Sequence, residues 1–319
     1  MADPDSIRNV AVLGLGTMGH GIAQIFAAAG CRVRGYDDVA EARATTLPRV
    51  RSNLEKMVAA GLFDAGDVAG TLERITVCDS EEDALQDADF LTEVIRENLV
   101  LKQTVFERIE ASISTECVVA SNTSSYPMSQ MSIRMKHPER ALNTHWFNPP
   151  HIIPLVEVVP GEKTAPETVD RTVQLLEGAG KLAVPLKKEI PGFLVNRVQM
   201  AMYRELLSMR EQGIATTEQI DLAIRESVGI RLAALGPLAV LDYAGLDTND
   251  EVMKVLAPDL ADDVEFPPSV QELVRNGHYG AKAGKGLYEY AEGDVEQGIE
   301  ERNRMYMAVL RTLKEERES

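Results

Sequence analysis

The stretch Asn9-Val10-Ala11-Val12-Leu13 followed by Gly14-Leu15-Gly16-Thr17-Met18-Gly19 constrains the fold of this chain more than any other. Its apolar run predicts a buried strand over residues 8–14 that enters a glycine turn. A helix is expected from about Met18 to Ala29, with Ile22, Ile25 and Phe26 on one face and Gly30 placed to end it. Val33 to Tyr36 reads as the next strand. A GxGxxG sequence carries little weight alone, but between a strand and a helix it is a pyrophosphate cradle. The first glycine permits the tight turn, the second lets backbone approach the phosphates, and the third lets the helix pack closely. Asp37 ends the second strand, 18 residues after Gly19. A carboxylate there accepts from both ribose hydroxyls and repels a 2′-phosphate, so NAD is expected rather than NADP. The competing reading is that Asp37 only caps the next helix.

Further strands are predicted at Ile75–Val77, Phe90–Ile95, Val118–Ala120, Ala141–Thr144 and Leu155–Val159, with helices over 41–60 and 99–113. Alternating strands and helices imply an α/β unit, a doubly wound parallel sheet of Rossmann type. Beyond residue 187 the pattern becomes helical, over 193–213, 216–227, 236–244 and 268–276, with a charged terminal helix over 297–319. Pro191-Gly192 reads as a hinge. The expected organisation is a Rossmann domain over 1–188 and an all-α domain over 189–319.

The composition is that of a globular chain, 45% apolar and 26% charged, and no run approaches the ~20 apolar residues of a membrane span. A net charge of −17 argues against nucleic acid or an anionic membrane as partner. Cys31, Cys78 and Cys117 are widely spaced, which suggests neither a disulfide framework nor a metal site. With no export signal in the first ten residues, a cytoplasmic location is expected.

The most informative chemistry lies in His145-Trp146-Phe147-Asn148-Pro149-Pro150 and Leu155-Val156-Glu157-Val158-Val159. A histidine stands at a strand end, and a glutamate sits 12 residues later inside an apolar strand. Burying that glutamate without a partner is costly, and an imidazole would satisfy it. The carboxylate would then orient the ring and stabilise its protonated form. In the alternative, Glu157 faces solvent from an edge strand and His145 is a packed core residue.

From residue 8 to about 290 the chain resembles the L-3-hydroxyacyl-CoA dehydrogenase family. The resemblance rests on GLGTMGHGIAQ at 14–24, SNTSS at 121–125, HWFNPP with LVEVV at 145–159, PGFLVNR at 191–197 and Gly280 to Tyr288. It implies that His145 is the general base for alcohol oxidation and the acid for the reverse reaction, with Glu157 as its charged partner. Ser124 would hydrogen-bond the reacting oxygen, and Asn196 would support the same site from the helical domain. Glu97 and Lys102 would hold the nicotinamide ribose, with Asn148 and Lys282 as further cofactor contacts. Homodimerisation through the helical domain is implied too, and the apolar, methionine-containing face of 193–209 is compatible with it. Blander roles compete: Ser124 and Asn196 as helix caps, Lys102 as a solvated charge. His20 and His151 read as structural.

Two departures bear on the substrate. The lysine-rich helix that meets the CoA nucleotide in acyl-CoA members is reduced here to Lys56 with Glu55 beside it, although Arg49 and Arg51 could compensate. Residues 229–237, Gly-Ile-Arg-Leu-Ala-Ala-Leu-Gly-Pro, are longer than the usual acyl-CoA form and carry Arg231. That resembles relatives acting on free acids, and Arg231 is the candidate anchor for a carboxylate. Interconversion of 3-hydroxyacyl-CoA and 3-oxoacyl-CoA is placed first. The same chemistry on a free hydroxy acid or aromatic carboxylate (gulonate, carnitine or pyridine-carboxylate type) comes second. A non-catalytic structural or nucleotide-sensing role is the remote alternative.

Overall fold

The computed structural model describes residues 7–318; residues 1–6, within the stretch read above for an export signal, and Ser319 lie outside the described residues. Eight strands form one sheet: β1 Asn9–Leu13, β2 Arg32–Tyr36, β3 Ile75–Val77, β4 Phe90–Glu93, β5 Val118–Ser121, β6 Ala141–Trp146, β7 Leu155–Pro160 and β8 Leu182–Pro185. Among them run α1 Gly19–Ala28, α2 Ala40–Ala59, α3 Asp67–Glu73, α4 Glu81–Leu85, α5 Leu99–Ile109, α6 Met128–Met131 and α7 Pro166–Gly178. The remainder is helical: α8 Val195–Glu211, α9 Thr217–Ile224, α10 Ile230–Ala234, α11 Pro237–Ala244, α12 Leu246–Leu256, α13 Pro268–Arg275 and α14 Asp294–Glu318. The chain is thus a doubly wound sheet followed by helices.

Strand order is β3-β2-β1-β4-β5-β6-β7-β8, and only β6 with β7 runs antiparallel. The order reverses between β1 and β4, which puts the ligand crevice at the carboxyl ends of these two strands. Both faces of the sheet are covered, as a parallel sheet requires. Val10 and Val12 of β1 enter one core with Ile22, Phe26 and Trp146, while Ala11 and Leu13 enter the other with Leu91, Phe106 and Ile109. The Phe26 ring meets Phe90 at 5.8 Å and the edge of Trp146 at 5.6 Å.

Two compact units emerge among the described residues, 7–196 together with 303–318, and 197–302. No single described helix is long and apolar enough to cross a membrane.

Candidate active site

The glycine turn is built as its spacing predicts. Gly14 has φ +98°, and a Cβ there would lie 2.5 Å from the Val94 carbonyl oxygen. A Cβ on Gly19 would collide with the Gly14 carbonyl, so α1 can start this close only with glycine. Gly16 differs: a Cβ there meets no atom within 4 Å. The protein's own packing does not demand a glycine at 16, whereas close approach of a pyrophosphate does. No side chain caps the N-terminus of α1, so its first N–H groups stay available to an anion. Asp37 accepts from Leu15 N at 2.6 Å and Val39 N at 2.9 Å, which fixes its carboxylate beside the turn. These residues fit a dinucleotide, whose phosphates the turn would hold and whose adenosine ribose Asp37 would meet.

The sheet register brings the catalytic candidates together. His145 on β6 is the direct cross-strand partner of Glu157 on β7, so both side chains leave the same face. Glu157 Oε2 lies 2.6 Å from His145 Nδ1. Its Oε1 accepts from Leu194 N and Val195 N, each at 2.9 Å, at the start of α8. With β6 on one side and β8 on the other, β7 is not an edge, and Glu157 is fully buried. The solvent-facing alternative for Glu157 therefore fails. On the far side of the ring, Ser124 Oγ lies 3.1 Å from His145 Nε2. Asn122 positions that segment by accepting from Trp146 N at 2.9 Å. Asn196 Nδ2 reaches the Ser124 carbonyl at 3.5 Å, a weak bond. The rings of Phe147 and Phe193 stand 4.6 and 5.5 Å from the imidazole. Phe193 is held at φ +49°, a left-handed conformation costly for an aromatic residue, yet its ring is wholly buried. A hydroxyl, an imidazole and a buried carboxylate in line can pass a proton to or from an oxygen beside Ser124.

Lys102 is 1% exposed, so it is not a solvated charge. It donates to both oxygens of Glu93, at 2.9 and 3.0 Å, and pairs with Glu97 at 3.3 Å. Glu93 also accepts from Ser121 Oγ and Ile95 N, each at 2.6 Å, and Glu97 takes the Thr123 hydroxyl. Asn148 is exposed on the β6–β7 loop. In the second unit Arg231 is exposed and reaches only the Ser227 carbonyl at 3.4 Å, while Lys282 Nζ stands 5.4 Å from the Tyr279 ring centre.

The comparisons with known proteins bear on the whole chain. Residues 9–190 match the model of the 3-hydroxyacyl-CoA dehydrogenase NAD binding domain, and residues 192–290 match that of the C-terminal domain. The chain belongs to the 3-hydroxyacyl-CoA dehydrogenase family. It is thereby an NAD-dependent dehydrogenase acting on a CH–OH group. Among family relatives, 5-formyl-3-hydroxy-2-methylpyridine 4-carboxylate 5-dehydrogenase of Mesorhizobium japonicum is 38% identical over 96% of this chain and 98% of its own. L-carnitine dehydrogenase of Streptomyces coelicolor is 39% identical over 77% and 76%. A solved structure of a 5-formyl-3-hydroxy-2-methylpyridine 4-carboxylic acid 5-dehydrogenase, described as an NAD+ dependent dismutase, superposes with a TM-score of 0.91 at 36% identity, covering 97% and 99% of the two chains.

Sequence reasoning missed the burial of several polar residues around these elements. Glu93 sits in a strand and has no motif of its own. Lys181 is buried and donates to the Pro150 and Ile153 carbonyls at 2.6 and 2.9 Å, with the Trp146 ring 5.4 Å away. It ties down the loop that follows His145, and burial pushes its ammonium down to about 7. His151 is also buried and pushed down to about 3, chiefly by burial and then by the positive fields of His20, Lys181 and Lys56. Arg49 does not extend a CoA patch, because its guanidinium turns inward to the glycine turn.

Proposed function

We propose that this enzyme oxidises, and in reverse reduces, the hydroxyl-bearing carbon of a small free carboxylate, with pyridine-carboxylate and carnitine-type acids as the leading candidates. The observation that carries the chemistry is the Ser124–His145–Glu157 line, with its 3.1 and 2.6 Å contacts. Bound NAD supplies the hydride acceptor. His145 takes the hydroxyl proton at Nε2 as the carbon–hydrogen bond breaks, and returns it in reduction. Glu157 keeps the ring oriented and balances its positive charge, itself held by the two N–H groups at the start of α8. Ser124 donates to the reacting oxygen and stabilises its developing charge. Asn196 steadies the Ser124 segment. Glu97 and Lys102 present the nicotinamide ribose site, with Asn148 and Lys282 as further cofactor contacts. A non-catalytic role is disfavoured by the full retention of this line.

The sequence alone ranks acyl-CoA thioesters ahead of free acids. Three findings support the reverse order: the full-length similarity to a pyridine carboxylate dehydrogenase, the similarity to carnitine dehydrogenases, and the inward commitment of Arg49. Arg231 is the proposed carboxylate anchor: the residue is exposed, and a carboxylate could pair bidentately with its guanidinium, of which Nε makes a long 3.4 Å contact to the Ser227 carbonyl. NADH oxidation at 340 nm with acetoacetyl-CoA, beside a panel of free 3-oxo acids and aromatic formyl carboxylates, tests this. Turnover of free acids that is lost in Arg231→Ala supports the reading. Fast turnover of acetoacetyl-CoA, unaffected by Arg231→Ala, overturns it.

The functional partner is a second copy of this chain. No described residue between Arg197 and Arg302 is buried, and Val198, Tyr243 and Val264 are 65%, 84% and 99% exposed. Apolar exposure on this scale calls for a cover. We assign the division of labour to residues 1–188 for NAD and 189–319 for substrate and dimerisation. The three buried free thiols suit a cytoplasmic, reducing location.

A further inference from the structure

We propose that Arg49 is a positioning residue for the dinucleotide pyrophosphate, acting by holding the carbonyls of the glycine turn from behind. The guanidinium, carried by the middle of α2, donates Nη2 to the Leu15 carbonyl at 2.6 Å and Nη1 to the Gly16 carbonyl at 3.1 Å. In a trans peptide the carbonyl and the following N–H point in opposite directions. With both carbonyls drawn toward Arg49, the N–H groups of Gly16 and Thr17 are turned to the opposite side, and a Cβ on Gly16 would meet no atom within 4 Å. Leu15 is held at both ends, its N–H by the Asp37 carboxylate at 2.6 Å and its carbonyl by Arg49. The arginine is itself braced on α2, through the Ala42 and Thr45 carbonyls at 3.1 and 3.3 Å.

His20 completes the arrangement. Its Nδ1 lies 2.8 Å from the Gly16 carbonyl and 3.1 Å from Arg49 Nη1. Burial first, and then Arg49, hold His20 below the usual histidine range, against the opposing pull of its backbone bond. Arg49 is therefore the resident positive charge behind the turn, and arginine keeps its charge at any working pH. Its planar fork suits two adjacent carbonyls in a way a lysine ammonium does not. The outcome is a set of N–H donors aligned before the anion arrives, which lowers the ordering cost of binding. This assignment depends on NAD as cofactor and not on the identity of the acid substrate.

The test is displacement of NADH fluorescence by ADP and by adenosine, with and without Arg49. In Arg49→Met, affinity for ADP and NAD+ is expected to fall about tenfold while adenosine changes by less than about twofold, since only the phosphates are read by the turn. The kcat at saturating NAD+ should stay within about twofold, placing the defect in binding. Arg49→Lys, which keeps the charge but not the fork, should recover part of the loss, to roughly threefold below wild type. Equal losses for ADP and adenosine would reduce Arg49 to a brace for α2 and overturn the proposal. Unchanged ADP affinity would also overturn it. If the methionine variant does not fold, the lysine variant gives the same two-ligand comparison.

Discussion

Residues 7–196 and residues 197–302 are both rich in amphipathic helices, but they deal with their apolar faces in opposite ways. In the first unit α1, α5 and α7 sink their apolar faces against the sheet, and side chains such as Phe26, Phe90 and Phe106 lose all contact with water. In the second, α8 to α13 bury no residue. The sheet supplies the first unit with a rigid floor, and the proposed proton relay is built into that floor. Helices without a floor must borrow one. The contrast separates chemistry, which one copy organises for itself, from the second unit's stability, which the proposed partner copy provides.

The sharpest way to break this comparison is to remove the relay and leave the scaffold. His145→Ala should lower kcat about 1,000-fold, with NADH affinity unchanged by fluorescence titration. Survival of more than a tenth of the activity would place the acid–base group elsewhere. Glu157→Gln keeps the shape and should cost about 100-fold in kcat with little change in KM. An equal loss in KM and kcat would mean that the glutamate holds α8 rather than the ring.

The second unit is probed by Val198→Glu, on a residue 65% exposed within one chain. Sedimentation at micromolar concentrations should show at least a roughly tenfold weaker dimer, and thermal unfolding should start at lower temperature as the protein is diluted. A monomeric wild type with a concentration-independent Tm would refute the borrowed-floor picture. The effect that is smallest per step concerns Lys181, whose ammonium is lowered from 10.5 to about 7 by burial. Below about pH 7 the buried charge is carried in both folded and unfolded states, so its cost is paid in full. Between about 7 and 10.5 the unfolded chain holds a proton that the folded one has lost, and stability rises with pH. Relative to Lys181→Met, the wild type should gain about 1 kcal/mol or less per pH unit across that window in urea melts. A flat difference would show that the Pro150 and Ile153 carbonyls hold the charge without penalty.

What could be read in advance followed periodicity and motif. The turn at Gly14 to Gly19 needs no knowledge of the rest of the chain, since its geometry is local. The His145 and Glu157 pairing was legible because an acid between Val156 and Val158 has few acceptable surroundings. Strand β8 escaped because Leu182–Pro185 is short and largely exposed, with no inward and outward alternation to betray it. Helix α12 escaped as well, its acidic start at Asp247, Asp250 and Glu251 reading as a polar connection. Glu93, Lys102 and Lys181 are polar residues whose burial is settled only when distant strands close over them. Arg49 shows the same limit: the sequence gives its charge, and tertiary packing decides which way it points.

The antiparallel register of β6 and β7 separates two tasks. His145 and Glu157 face each other because of strand pairing, which runs from Leu142 opposite Pro160 to Trp146 opposite Val156. The eight residues between the strands, Phe147 to Pro154, take no part in setting that distance. The register of the proposed proton-transfer pair is therefore independent of the loop, which has duties of its own in Asn148 and in the carbonyls that Lys181 holds. A slip of a single residue between the strands, in contrast, would turn Glu157 to the opposite face and break the proposed relay. The ladder and the loop are thus separable parts, one setting the distance between His145 and Glu157 and the other free of that task.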